Sequence, residues 1–262
     1  MIHRLLVLAL ALCALFCASL NAAEPVNERY RLQQIRLLSQ ATLSDFYLLY
    51  GVDQDPAQVK AMQQRMQAVS ALFAALNPPA ARDSQTQLAQ LEAHWRAYAQ
   101  RLTELNEALQ RHVSISPRDI TELLGLNQQL LEHCDALTRQ LPATERDPLN
   151  QQLSLQLQNL SSHYIAYSIG ANRLGGDETE IDQLTRAFGT QLDKLQTLAG
   201  NHPHNRAILA NIQRKWRFIE APLQHYNRQA NVPFLVNQYA GRIIELLAQL
   251  QSPVADSNPV QL

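Results

Sequence analysis

Apolar residues recur along this chain at alternating steps of three and four, the spacing that gathers them on one face of an α-helix. The most regular run is Leu88, Leu91, Trp95, Tyr98, Leu102, Leu105 and Leu109. It holds for about three heptads, as left-handed bundle packing requires. Upstream, Ile35, Leu38, Thr42, Phe46 and Leu49 mark a helix over 27–50 that Gly51 ends. Val59, Met62, Met66, Val69, Phe73 and Leu76 mark a second. Asp55-Pro56 opens it as N-cap and first helical residue, and Asn77-Pro78-Pro79 stops it. A fourth helix starts at Ser116-Pro117 and bears Ile120, Leu124, Asn127, Leu131, Cys134 and Leu141. Pro142-Ala143-Thr144 then breaks the chain.

The second half repeats this order. One helix bears Leu153, Leu157, Leu160, Tyr164 and Tyr167, and Asp177 caps another with Ile181, Leu184, Phe188, Leu195 and Leu198. After Asn201-His202-Pro203 come Ile212, Trp216, Ile219, Leu223 and Tyr226, and then Val236, Tyr239, Ile243, Leu246 and Leu250. Leu91, Trp95, Tyr98, Leu102 and Leu105 map onto Ile212, Trp216, Ile219, Leu223 and Tyr226 at a constant offset of 121. Leu38-Ser39 maps onto Leu160-Ser161, and Asp55 onto Asp177, at 122. The pattern predicts an all-α protein of two tandem antiparallel four-helix bundles, 27–141 and 145–251, with a disordered tail over 252–262. Pro222, where the first copy has Arg101, is expected to kink or break its helix.

Composition sharpens the picture in two places. With 46% hydrophobic and 17% charged residues the chain can bury a core, and a net charge of −1 leaves no basic stripe for nucleic acid. Met1–Ala23 reads as a cleavable secretory leader: His3 and Arg4, an apolar run over Leu5–Ala18, and small residues before Glu24. That run is about fourteen residues where a membrane span needs about twenty, so the mature chain is expected to be periplasmic, with no membrane span. Its remaining cysteine, Cys134, falls on an apolar face and reads as a buried inert thiol.

The candidate chemistry is sparse. There is no Glu-x-x-His for a di-iron bundle, no Cys-x-x-Cys-His for haem, and no Gly-x-Ser-x-Gly. His202-Pro203-His204 reads as a turn rather than a metal site, and no cofactor or enzyme activity is expected. Tyr47, Tyr50, Tyr98, Tyr164, Tyr167 and Tyr226 either line a cleft or fill the core. Ser39, Gln40, Asn127, Ser161 and Asn237 lie beside the apolar stripes, where they pair across helices or face a small polar ligand.

Arg36-Leu37-Leu38-Ser39-Gln40, followed by Tyr47-Leu48-Leu49-Tyr50-Gly51, resembles the sensory N-terminal domain of type IV pilus methyl-accepting chemotaxis transducers. That domain is itself similar to the periplasmic bundle of nitrate/nitrite sensor kinases. Arg36, Leu38, Ser39 and Gln40 match the Arg-x-Leu-Ser-Gln core of the family's helix-opening motif. The resemblance implies a sensory module with Arg36 supplying charge, and Ser39 and Gln40 directed hydrogen bonds, to a small polar ligand. It also implies a membrane receptor or other periplasmic protein as partner. Gln33 and Gln34 stand where the motif has Gly-Arg, and the anion-binding arginine of nitrate sensors is here Gln34, so nitrate binding does not carry over. The alternative expectation is a helical adaptor that binds proteins without a small ligand.

Overall fold

The computed structural model describes residues 28–77, 82–141, 148–171, 178–200, 202–224 and 232–250. The expected leader and tail, the Pro142-Ala143-Thr144 break, the Asp177 cap, and Pro78, Pro79, Asn201 and Tyr226 lie outside the described residues. Among the described residues the regular structure is entirely helical: α1 (Glu28–Gly51), α2 (Pro56–Ala74), α3 (Arg82–Gln110), α4 (Pro117–Gln140), α5 (Leu149–Ser168), α6 (Glu178–Ala199), α7 (Pro203–Gln224) and α8 (Pro233–Ala248). The all-α class is as the periodicity predicts.

The helix ends show why the sequence stops and starts where it does. Asp55 is extended, accepts from the Ala57 amide at 2.8 Å, and places Pro56 at the first helical position. Ser116 and Asp119 form a reciprocal box: the Ser116 amide donates to Asp119 Oδ2 at 2.8 Å, and the Asp119 amide to Ser116 Oγ at 3.3 Å. Gly170 closes α5 with φ +74°, letting the Ala171 amide reach back to the Ala166 carbonyl at 2.9 Å. His112 takes the same left-handed role after α3, with φ 56°. Pro222 does not break α7, which runs on to Gln224; the bond it deletes lies in the last described turn.

Buried apolar side chains fall into two clusters. One joins α1–α4 through Ile35, Phe46, Met62, Leu91, Trp95, Leu102 and Leu123, and the other joins α5–α8 through Leu153, Leu160, Phe188, Ile212, Trp216 and Ile243. Each such side chain, fully buried, contributes about 1.5–3 kcal/mol. Phe73 stacks on Trp95 at 6.2 Å and Phe188 meets Trp216 at 4.5 Å, so each tryptophan anchors its own cluster. The inner positions differ from the expected stripes in places. In α4 they are Ile120, Leu123, Asn127, Leu130, Cys134 and Leu137, while Leu124 and Leu131 sit on the flank. In α6, Thr185 and Leu192 are buried and Leu198 is 56% exposed.

The clusters meet along α1 and α5. Gln40 pairs with Asn159 and Ser44 with Ser162, separations of 119 and 118 residues, so the two helices run in the same direction. A Cβ on Gly51 would stand 2.4 Å from Ile169 Cγ2, which is how a glycine lets the ends of these helices close up. The helices that the repeat matches through Leu38-Ser39 and Leu160-Ser161 are therefore the two that form the seam. Because α1 packs against α2, α4 and α5, every residue from 42 to 49 is buried. Ile165 of α5 belongs to the first cluster, so the seam is apolar as well as polar.

Candidate functional site

Helix α1 carries an unusual load of buried polar side chains: Ser39, Gln40, Thr42, Ser44 and Asp45. Groups so placed need partners, and most find them on other helices. The Ser39 carbonyl accepts from three donors, Thr42 Oγ1 at 2.8 Å, Asn127 Nδ2 at 3.2 Å and the Tyr98 hydroxyl at 3.3 Å. Burial holds the Tyr98 hydroxyl well above the ordinary phenol pKa. On the side facing α5, Ser44 Oγ and Ser162 Oγ lie 2.7 Å apart, and Gln158 Nε2 donates to both at 3.3 Å.

Asp45 is fully buried and bound by three side chains from two other helices. Arg65 of α2 forms an ion pair with Oδ2, Gln58 donates to Oδ1 at 2.5 Å, and Asn237 of α8 approaches Oδ1 at 3.5 Å. Burial pushes its pKa up to about 6, against the opposing pull of Arg65 and the two amides. The cluster thus ties α8 of the second group to α1 and α2 of the first.

Between α1, α4, α5 and the start of α6 lies a cavity of about 400 Å³. Leu43, Leu124 and Leu131 supply apolar wall, which explains why Leu124 and Leu131 are only partly buried. Polar groups converge on the same space: Gln40, Asn127 and Asn159 carboxamides, Ser162, and His163 with its Nδ1 3.6 Å from Glu180 Oε1. Gln40 Nε2 donates to Asn159 Oδ1 at 2.9 Å across the cavity's α1–α5 wall. Tyr47 also lines it. Its ring is 2% exposed, burial pushes its pKa up to about 12, and its hydroxyl has no hydrogen-bond partner among the described residues. A buried hydroxyl left unpaired gains from any donor or acceptor brought to it.

The three residues expected at the site do not share a surface. Gln40 lines the cavity. Arg36 is turned to α4, where its guanidinium holds Asp135 at 2.7 Å. Ser39 faces the first core: it is fully buried and its hydroxyl has no partner among the described residues. Tyr47 and Asn127, both singled out in the sequence, do reach the cavity, whereas Asn237 reaches Asp45 and Ser161 is buried with an unpaired hydroxyl. Asp45 was missed, though a carboxylate inside the run Leu43–Leu49 was the signal that could have found it. Asn159, His163 and Glu180 gave no such signal, because the seam that gathers them is long-range.

Cys134 is a free, buried thiol whose pKa burial pushes up to about 12. His94 stacks on His133 at 4.5 Å, and burial, aided by His133, lowers its pKa. Among the described residues no three His, Cys, Asp or Glu side chains are grouped to hold a metal ion, and no helix is long and apolar enough to cross a membrane. No family model, curated protein or solved structure matches the chain.

Proposed function

We propose that the protein is a non-enzymatic sensory or ligand-binding module of the periplasm that takes a small polar ligand into the cavity between α1, α4, α5 and α6. The observation that carries this reading is a cavity ringed by carboxamides, with Tyr47 in its wall and that residue's buried hydroxyl unpaired among the described residues. Carboxamides donate and accept, and a phenol does both, so the lining suits a ligand bearing donors and acceptors together with a modest apolar body. The resemblance of Arg36-Leu37-Leu38-Ser39-Gln40 to transducer sensory domains supports the same reading. A ligand here touches α4 of the first group and α5 and α6 of the second, so binding would stiffen the seam between them. That is the mechanical output a sensor needs.

Thermal unfolding of the chain against a panel of small polar metabolites tests the proposal. A ligand at one hundred times its dissociation constant adds about 2.7 kcal/mol. That corresponds to a rise of roughly 5–10 °C for a protein of this size. The shift is expected to shrink in Gln40→Ala and to survive in Arg36→Ala, whose side chain lies outside the lining. A panel without a hit, or a hit indifferent to Gln40→Ala, would sink the proposal.

A further inference from the structure

We propose that the α7–α8 face is a docking site for an acidic protein segment that carries an aromatic or aliphatic side chain. The site is separate from the cavity and does not rest on it. Phe218 is 53% exposed, and its ring stacks on Tyr239 of α8 with centroids 4.7 Å apart. Lys215, one turn before Phe218, holds its ammonium 5.7 Å from the Tyr239 ring centroid. Arg214 precedes Phe218 by one turn, Arg217 adjoins it, and Arg242 follows Tyr239 by three residues; all three arginines are exposed.

Several arginines of the molecule are held in ion pairs. Arg31, Arg36, Arg65, Arg101, Arg111 and Arg186 each hold a carboxylate. No described carboxylate forms an ion pair with Arg214, Lys215, Arg217 or Arg242. Glu220 and Glu245 are the acidic residues on these two helices and Asp193 of α6 lines the groove beside Arg214 and Arg217, so four cations stand against three carboxylates and the face stays net positive on a chain whose formal charge is −1. Exposed aromatic rings flanked by arginine are what the centres of protein interfaces are made from. The rings bridge both helices and the cations stand on both, so carboxylates on either side of one apolar side chain meet charge from both directions. Charge complementarity of this kind sets partner choice and association rate.

The test is fluorescence anisotropy of a short fluorescein-labelled peptide alternating Glu with Phe and Leu, titrated with the full chain. A control peptide has Gln for every Glu. The acidic peptide is expected to bind about tenfold or more tightly than the control, with the advantage shrinking as salt rises. Arg214→Glu with Lys215→Glu is expected to abolish that advantage. Phe218→Ala, an exposed change whose fold circular dichroism can verify, is expected to weaken binding about fivefold or more. Equal binding of the two peptides, or wild-type binding by both variants, overturns the proposal. So does sedimentation of the protein with anionic phosphatidylglycerol vesicles when the acidic peptide fails to bind, which would give the face to a lipid surface.

Discussion

The two cores share a plan and differ in polarity. Trp95 and Trp216 occupy matched positions and both are nearly fully buried. One turn on, Tyr98 in the first core is matched by Ile219 in the second. Tyr98 sends its hydroxyl to the Ser39 carbonyl, where Asn127 and Thr42 also donate. Ile219 is fully buried and has nothing to donate. The first group therefore carries a fixed polar network against α1, and Asn127 belongs both to that network and to the cavity wall. The second copy supplies an apolar frame and the α5 wall. The two tryptophan positions meet the same packing demand while the polar chemistry around them differs.

The largest effects should fall where the copies are alike. Trp95→Ala and Trp216→Ala are each expected to cost about 3–5 kcal/mol, read from urea unfolding, because both empty a buried aromatic site. A loss from one several times smaller than from the other would break the equivalence of the two cores.

Next comes Asp45, which has no matched carboxylate: the second copy has Tyr167 there. Its folded pKa is about 6 against a reference of 3.8. Between those values the folded chain holds a proton that the unfolded chain has released, so this group's contribution is fully present below the lower value. It is lost as pH rises through about 6. The difference amounts to about 3 kcal/mol at most. Unfolding free energy of wild type relative to Asp45→Asn is expected to fall from pH 4 to pH 7, since the amide cannot titrate. Parallel curves for the two proteins would contradict the assignment.

A smaller effect sharpens the contrast. Tyr98→Phe removes the phenol's hydrogen bonds to the Ser39 carbonyl and the Thr42 hydroxyl and is expected to cost about 1–2 kcal/mol. Ile219→Leu, a volume-conserving change without a polar partner, should cost under about 1.5 kcal/mol and leave the pH profile untouched.

Much of this frame was legible in the sequence, and the reasons are local. Asp55-Pro56 and Ser116-Pro117 announce helix starts because capping needs only neighbouring residues. The three-four run from Leu91 to Leu109 names the buried face of α3 because one side of that helix meets solvent. The same logic misread α1. A single stripe was expected, but α1 is walled in by α2, α4 and α5, and its inner residues run unbroken from 42 to 49. The site suffered for the same reason. Arg36, Ser39 and Gln40 lie three and four residues apart and so lie near one another on a helix, yet each meets a different neighbour: Asp135, the first core, and Asn159. Those partners lie about a hundred residues away, where periodicity carries no information.

The cavity is the central claim, and Tyr47→Phe tests it most directly. The change removes only the unpaired hydroxyl. Thermal unfolding of wild type and Tyr47→Phe, each with and without a panel hit, is the measurement. The expected result is an unliganded variant at least as stable as wild type, since no hydrogen bond is lost, with the ligand's stabilisation of about 2.7 kcal/mol reduced by about 1–2 kcal/mol. A variant that loses stability without ligand, or keeps the full ligand shift, would show that Tyr47 is a structural residue and that the cavity is not the binding site.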